Sequence, residues 1–255
     1  MSGPVRRSRP RSYATVSTCL VLAAAVAGSG CSGVQSMLDP AGPAAAEVAR
    51  TWWIMAGGAL FILLLVMVLL WRAMVRDPEA PPFRSGITMI ALGGLAFPVA
   101  VLAALLVHGT AMGWRAMAMD RPPDHVIEVH AQQWNWTFRY LAEDGAVQAT
   151  SQDAVLMPLG RDVEFRISAG DVIHSFWIPR LGGKMDAIPG RTNLLRLRAD
   201  RAGPIRGQCA EFCGRDHALM AFEVIVVAPD RYESWIGGGG GELPVPAHPT
   251  EAATP

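Results

Sequence analysis

Trp52 to Trp71 reads W-W-I-M-A-G-G-A-L-F-I-L-L-L-V-M-V-L-L-W, twenty residues without a charge. A helix of that length rises about 30 Å, the depth of a bilayer's hydrocarbon core. Tryptophans at both ends suit the two interfaces, where an indole buries its ring and keeps its N–H near water. A second apolar stretch runs from Gly86 to about Gly109. Its one ionisable residue, His108, lies near its end, and Pro98 predicts a kink. Arg72, Arg76 and Arg84 crowd the link between the stretches, which places that link on the cytoplasmic side. Both chain ends then lie outside. A soluble core also contains apolar runs, but two this long would be unusual there. The expectation is a two-helix transmembrane hairpin over residues 51–115.

Composition agrees. Of 255 residues, 51% are hydrophobic. The formal net charge is zero, so nothing in the charge balance points to nucleic acid. A single lysine, Lys184, stands among 22 basic residues, a bias without a functional explanation. The first thirty residues read as a targeting segment. Arg6, Arg7, Arg9 and Arg11 precede a ten-residue apolar run, Cys19 to Gly28, too short to span a bilayer. Gly28-Ser29-Gly30-Cys31 resembles a bacterial lipobox, in which the cysteine becomes the lipidated first residue. Gly28 stands where Leu or Val is usual. The expectation is a lipoprotein-type signal peptide over 1–30, a lipidated Cys31 and a periplasmic segment over 31–50. Ordinary cleavage near Gly30 and an uncleaved anchor are the alternatives.

After Arg115 charges become frequent and short β-type runs take over. Val126–Tyr140 alternates in part and is rich in aromatics. Val163–Ile167, Val172–Ile178, Leu194–Leu197 and Phe222–Val227 also read as strands, with Pro, Gly, Asp and Asn between them. Many short strands in one stretch predict a β-sandwich or barrel over 120–236. From Asp120 to Trp235 there are 13 basic and 16 acidic side chains, a mildly acidic balance. The Gly-, Pro- and Ala-rich tail, 237–255, is expected to be disordered.

The chemistry concentrates in Gln208–Met220, Q-C-A-E-F-C-G-R-D-H-A-L-M. Cys209, Cys213, His217 and Met220 form a set of soft and borderline ligands of the kind copper prefers. Thiolates hold Cu(I), imidazole serves either oxidation state, and a thioether makes a weak axial ligand. A Cys209–Cys213 disulfide is one alternative, but it would close a small loop of little stabilising value and give His217 and Met220 no role. Zinc is another, but methionine is a poor zinc ligand. Upstream, His174 lies in D-V-I-H-S-F-W-I-P (Asp171–Pro179) and could add a second imidazole. Two coppers bridged by both thiolates, each with one histidine, would use the whole set.

With these residues the chain resembles cytochrome c oxidase subunit II of the haem–copper oxidases, from Thr51 to about Trp235. The family's C-x-E-x-C-G-x-x-H-x-x-M is matched by Cys209–Met220 without a gap. Its D-x-x-H-S-F/W-x-x-P is matched by Asp171–Pro179, and its K-x-D-A-I-P-G-R by Lys184–Arg191. H-Q-W-x-W is matched by Gln132–Trp136, with Gln132 in place of the histidine. The resemblance implies two transmembrane helices followed by an all-β cupredoxin domain, a Greek-key sandwich, carrying a dinuclear CuA centre. It implies that Cys209 and Cys213 bridge both coppers. His174 and Met220 would complete one copper, and His217 with the Glu211 carbonyl the other. It further implies electron entry from cytochrome c at Trp134 and transfer to haem in subunit I, where oxygen is reduced to water with proton pumping. The Glu211 side chain would bind Mg²⁺ or Mn²⁺ at the subunit I interface, where Asp186 would also lie. Other oxidase subunits and a bacterial inner membrane complete the implied setting. For Trp134, a core tryptophan is the competing expectation, since three aromatics fall within Trp134–Phe138.

Three departures stand out. Ala221 replaces the family's common proline. No glutamate occurs between Arg84 and Arg115, where many members carry one at a proton-channel entrance, leaving Glu79 in the loop as a substitute. C-x-x-C-H is absent, so no fused haem domain is expected. A quinol oxidase subunit II would lack the copper ligands. A nitrous oxide reductase would need a large further domain. A membrane-anchored copper chaperone would show an α/β pattern and one anchor.

Overall fold

The computed structural model describes residues 32–77, 86–117 and 122–243. The expected signal segment, Cys31, Glu79, Arg84 and residues 244–255 lie outside them. Helix α1 spans Pro43–Met74, opening with a proline at its first position, where a missing N–H costs nothing. Its 32 residues rise about 48 Å, more than a bilayer core needs. The surplus is at its start: only Ala45 and Ala49 are buried, and they lie before the apolar run. The second helical run comprises α2 (Gly86–Met89), a π-helical segment (Ile90–Ala96) and α3 (Phe97–Met117). Pro98 accounts for the π segment. Its ring cannot accept a normal preceding turn and it has no N–H for one, so the helix widens just before it. The Phe97 N–H accordingly reaches the Leu92 carbonyl. Both runs are long and apolar enough to cross a membrane. Near their outer ends the Thr51 hydroxyl lies 3.1 Å from His108 Nε2.

The remainder is a ten-stranded sandwich. One sheet has the order β3-β2-β1-β5-β8, the other β4-β10-β9-β6-β7. Strands β1 (His125–Gln132), β2 (Asn135–Leu141) and β3 (Val147–Gln152) form a meander. Strand β4 (Ala154–Pro158) moves to the second sheet and β5 (Asp162–Ala169) returns beside β1 in parallel. Strands β6 (His174–Trp177) and β7 (Met185–Ala187) join the second sheet, β8 (Asn193–Arg198) the first. Strands β9 (Gly203–Cys209) and β10 (Ala221–Val227) complete the second sheet as an antiparallel pair. This is the expected cupredoxin arrangement. The Val126–Tyr140 run is two strands rather than one, folded back at Gln133-Trp134 so that Gln132 pairs Asn135.

Period-2 alternation drives the packing. Ile127, Val129 and Ala131 of β1 point inward with Trp136, Phe138 and Tyr140 of β2. Phe176 and Phe222 from the facing sheet stack at 5.0 Å and 8°. Trp136 closes on both, at 5.7 and 5.3 Å. Each such ring contributes roughly 1.5–3 kcal/mol by burial. Tyr140 keeps its hydroxyl satisfied inside: it accepts the Leu156 N–H at 2.7 Å, and burial pushes its pKa up to about 12. Buried Glu164 is neutralised by Arg196 at 2.9 Å and Arg166 at 3.2 Å. Helix α4 (Pro229–Gly237) packs Tyr232 and Ile236 on the sandwich. Beyond it, Leu243 also packs against the core.

Candidate metal centre

The ligand loop runs between β9 and β10, which are hydrogen-bonded neighbours. Cys209 ends β9, and its N–H donates to the Met220 carbonyl at 2.9 Å, closing the loop at its base. Gly214 has φ +123°, a left-handed turn that glycine accepts without strain. A short 3₁₀ turn, His217–Leu219, then brings His217 and Met220 back toward the cysteines. Strand β6 lies beside β9, with Phe176 opposite Cys209, so His174 starts its strand next to the loop. The Ala210 N–H donates to the Ser175 carbonyl at 2.9 Å and fixes that approach.

The donors converge. Cys209 and Cys213 are free thiols with Sγ atoms 3.8 Å apart. His174 Nδ1 lies 3.9 Å from Cys209 Sγ, and His217 Nδ1 3.5 Å from Cys213 Sγ. Met220 Sδ lies 3.7 Å from Cys213 Sγ, and the Glu211 carbonyl oxygen 3.2 Å from Cys209 Sγ. His174, Cys209, Cys213 and Met220 are at most 5% exposed. Metal–sulfur bonds of about 2.3 Å allow two sulfurs 3.8 Å apart to share a metal on either side. Burial and the neighbouring Cys209 push the Cys213 thiol up to about 12, so binding a metal here means displacing a proton. Two thiolates, two imidazoles, a thioether and a carbonyl fit copper better than the oxygen-seeking cations. Every ligand residue expected from the sequence is therefore in one place.

Two groups around the set, Asp171 and Gln133, carry no role in the sequence reading, and both lie beside Trp134. Asp171 accepts from His174 Nε2 at 2.9 Å. Burial would raise its carboxyl, but hydrogen bonds from His174, the Gln133 amide and the Val172 amide outweigh that and hold it below its usual value. Gln133 Nε2 donates to the Cys213 carbonyl at 2.7 Å. Trp134, half-buried at the hairpin tip, lies over Gly214, and Arg215 sits 5.5 Å from its ring centroid. These contacts link residues far apart in sequence, and only the D-x-x-H spacing hinted at one. On the other flank the Ser175 hydroxyl donates to Asp186 at 2.7 Å, which with Lys184 at 3.2 Å keeps that carboxyl below its usual value despite partial burial. Lys184 also lies 3.9 Å from the Glu211 carboxylate. Thus the Glu211 carbonyl faces the thiols while its side chain faces Lys184. Phe212 and Leu219, 77% and 78% exposed, give this end an apolar surface of the kind proteins cover.

Fold and site together define a class: a β-sandwich on a two-helix hairpin, with a buried cluster of soft donors that could hold metal at one end. Residues 141–228 match the family model for the cytochrome c oxidase subunit II periplasmic domain. Cytochrome c oxidase subunit 2 of Alkalihalophilus pseudofirmus is 34% identical over 239 residues, covering 86% of this chain and 66% of that protein. Its counterpart in Thermostichus vulcanus is 38% identical over 136 residues, 53% of this chain and 40% of that one. The chain belongs to the cytochrome c oxidase subunit II family. It spans about two thirds of the first relative's length and less of the second's. Among solved structures, the periplasmic domain of cytochrome oxidase subunit II of Bradyrhizobium japonicum is 30% identical, covering 48% of this chain and 96% of that one, with a TM-score of 0.41.

Proposed function

We propose that the chain is the electron-entry subunit of a respiratory cytochrome c oxidase in a bacterial inner membrane, with its β domain on the periplasmic side. The observation that carries the reading is the convergence of five soft and borderline donors and one carbonyl oxygen between β6 and the β9–β10 loop. Cys209, Cys213, His174, His217, Met220 and the Glu211 carbonyl would hold two coppers. Copper held by these residues would supply a one-electron carrier. The chain's own part is to hold the donors still, since a ligand set that barely moves between redox states keeps the reorganisation cost low. Burial of His174 and Met220 also keeps bulk water from the donors.

Trp134 is the proposed entry point for electrons from cytochrome c. In support, it sits at a hairpin tip with its ring against the residue that follows Cys213. Transfer onward would be to haem in subunit I, where oxygen chemistry and proton pumping reside. The Glu211 carboxylate is proposed to meet Mg²⁺ or Mn²⁺ at that interface, with Asp186 nearby and other oxidase subunits completing the complex. Lipidation of Cys31 is proposed from its sequence setting alone.

The test is copper loading of the full chain, read by metal content and EPR. The expected result is two coppers and a mixed-valence dinuclear signal, lost in both Cys209→Ser and Cys213→Ser. Met220→Leu should keep two coppers with an altered spectrum. A single mononuclear copper, or a spectrally silent Cu(I) form, would instead indicate a copper chaperone.

A further inference from the structure

Asp171 lies in the crossover from β5 to β6, and its side chain is 25% exposed. Both of its oxygens are engaged. Oδ1 accepts from His174 Nε2 at 2.9 Å and from the Val172 amide at 2.7 Å. Oδ2 accepts from the Gln133 amide at 2.7 Å. A neutral imidazole carries one proton on two nitrogens, and a carboxylate can only accept. The partner therefore places the His174 proton on Nε2 and leaves Nδ1, the nitrogen facing Cys209 Sγ, with a bare lone pair. The ring is fully buried, with Trp136 edge-on at 6.2 Å, so packing holds its plane. Packing does not choose between tautomers, whereas the hydrogen bond does. The same carboxylate reaches the hairpin of Trp134 through the Gln133 amide, and the Gln133 side chain reaches the Cys213 carbonyl at 2.7 Å. Two residues thus tie the hairpin tip to both halves of the donor set.

We propose that Asp171 is a positioning residue of the metal centre. It selects the His174 tautomer whose Nδ1 binds metal, strengthens that nitrogen as a donor through its negative charge, and holds the Trp134 hairpin against the ligand loop. The inference rests on the copper reading and extends it to a residue that touches no metal. A stronger imidazole donor favours the more positive, oxidised metal, so removing the charge raises the reduction potential.

The experiment uses the intact chain in detergent with ¹⁵N-labelled histidine. In the metal-free wild type, His174 should give the Nε2–H tautomer. Asp171→Asn should keep that tautomer, because the amide oxygen still accepts, while Asp171→Ala should give a mixture. After copper loading, both variants should show a higher potential than wild type. A wild-type His174 protonated on Nδ1, an alanine variant with the wild-type tautomer, or potentials unmoved in both variants would each overturn the proposal. The metal-free spectrum does not depend on copper. The expected tautomers without any dinuclear copper signal would therefore count against the copper reading and support the positioning role.

Discussion

Trp134 and Trp136 stand two positions apart and have different surroundings. Trp136 faces inward with Phe138 and Tyr140 and is fully buried. Trp134 falls in the turn, off the inward-facing row, and its ring meets the ligand loop instead. Trp136 is thus a core residue, while Trp134 is partly buried and packs against the edge of the core. Replacing Trp134 by alanine should leave copper content and spectrum unchanged while slowing reduction by cytochrome c by roughly tenfold or more, about 1.4 kcal/mol of barrier. Stopped-flow reduction at the wild-type rate would return Trp134 to a packing role. The ligands were legible because five of the six donor positions fall within Cys209–Met220, where a turn and a 3₁₀ segment suffice to bring them together. His174 was legible as the second imidazole that a two-thiolate set could use, and the family motif assigned it to a particular copper. Asp171 was hinted at only by its D-x-x-H spacing, and Gln133 not at all, because a hydrogen bond between a hairpin tip and a distant crossover leaves no spacing to read.

Strand β9 shows why some elements escaped the sequence. Gly203, Pro204 and Gly207 all argue against a strand, yet β9 lies between β10 and β6. Pro204 is tolerated because β6 pairs with β9 only at Gln208 and Cys209, leaving no partner on that edge for a Pro204 N–H to serve. Gly207 is required by space. A Cβ there would overlap the Phe222 ring, which lies flat across it from β10. The glycine looks like a breaker in one dimension and is a seat for an aromatic in three. Strand β3 escaped for another reason: V-Q-A-T-S-Q carries only Ala149 and Ser151 inward and lacks the hydrophobic signal of its neighbours. Gly207→Ala should cost about 1–3 kcal/mol through overpacking, since Phe222 is already stacked on Phe176 and closed by Trp136. Thermal unfolding should show a midpoint several degrees lower with the copper ligands still in place. An unchanged midpoint would mean that Phe222 repacks freely.

Across the whole molecule, the membrane hairpin and the β domain meet through the residues just before α1. The Ala41 N–H donates to the Arg180 carbonyl at 2.8 Å, its carbonyl accepts from Asp200 at 2.7 Å, and Ala41 is buried in the domain core. Val34 and Gln35 extend this contact along β9, reaching Arg206 and Gln208 beside Cys209. Gly42 passes so close to the Arg198 carbonyl that a Cβ would collide with it. Asp39 is the clasp: its carboxylate holds Arg180 at 2.8 Å and Arg201 at 2.7 Å. Its partners stand about 140 positions or more apart, and no local pattern announces the joint. Its consequence is that the ligand loop is held at a set height and angle relative to α1, as a centre passing electrons to a membrane partner would need. Arg201 is 59% exposed and contributes little, whereas Arg180 is 13% exposed and would be left poorly paired without Asp39. Arg180 Nε would keep the Asp39 main-chain carbonyl at 2.7 Å, but losing the carboxylate partner costs about 1–3 kcal/mol, and the cost falls on the joint rather than on the sandwich core. Asp39→Ala should therefore speed hydrogen exchange at the Ala41 and Ala45 amides by roughly tenfold to a hundredfold. The amides of β1 and β5, in the middle of their sheet, should exchange as in wild type. Uniformly faster exchange across both sheets would mean that Asp39 stabilises the fold as a whole, and unchanged exchange at Ala41 would mean that the backbone contacts hold the joint without it.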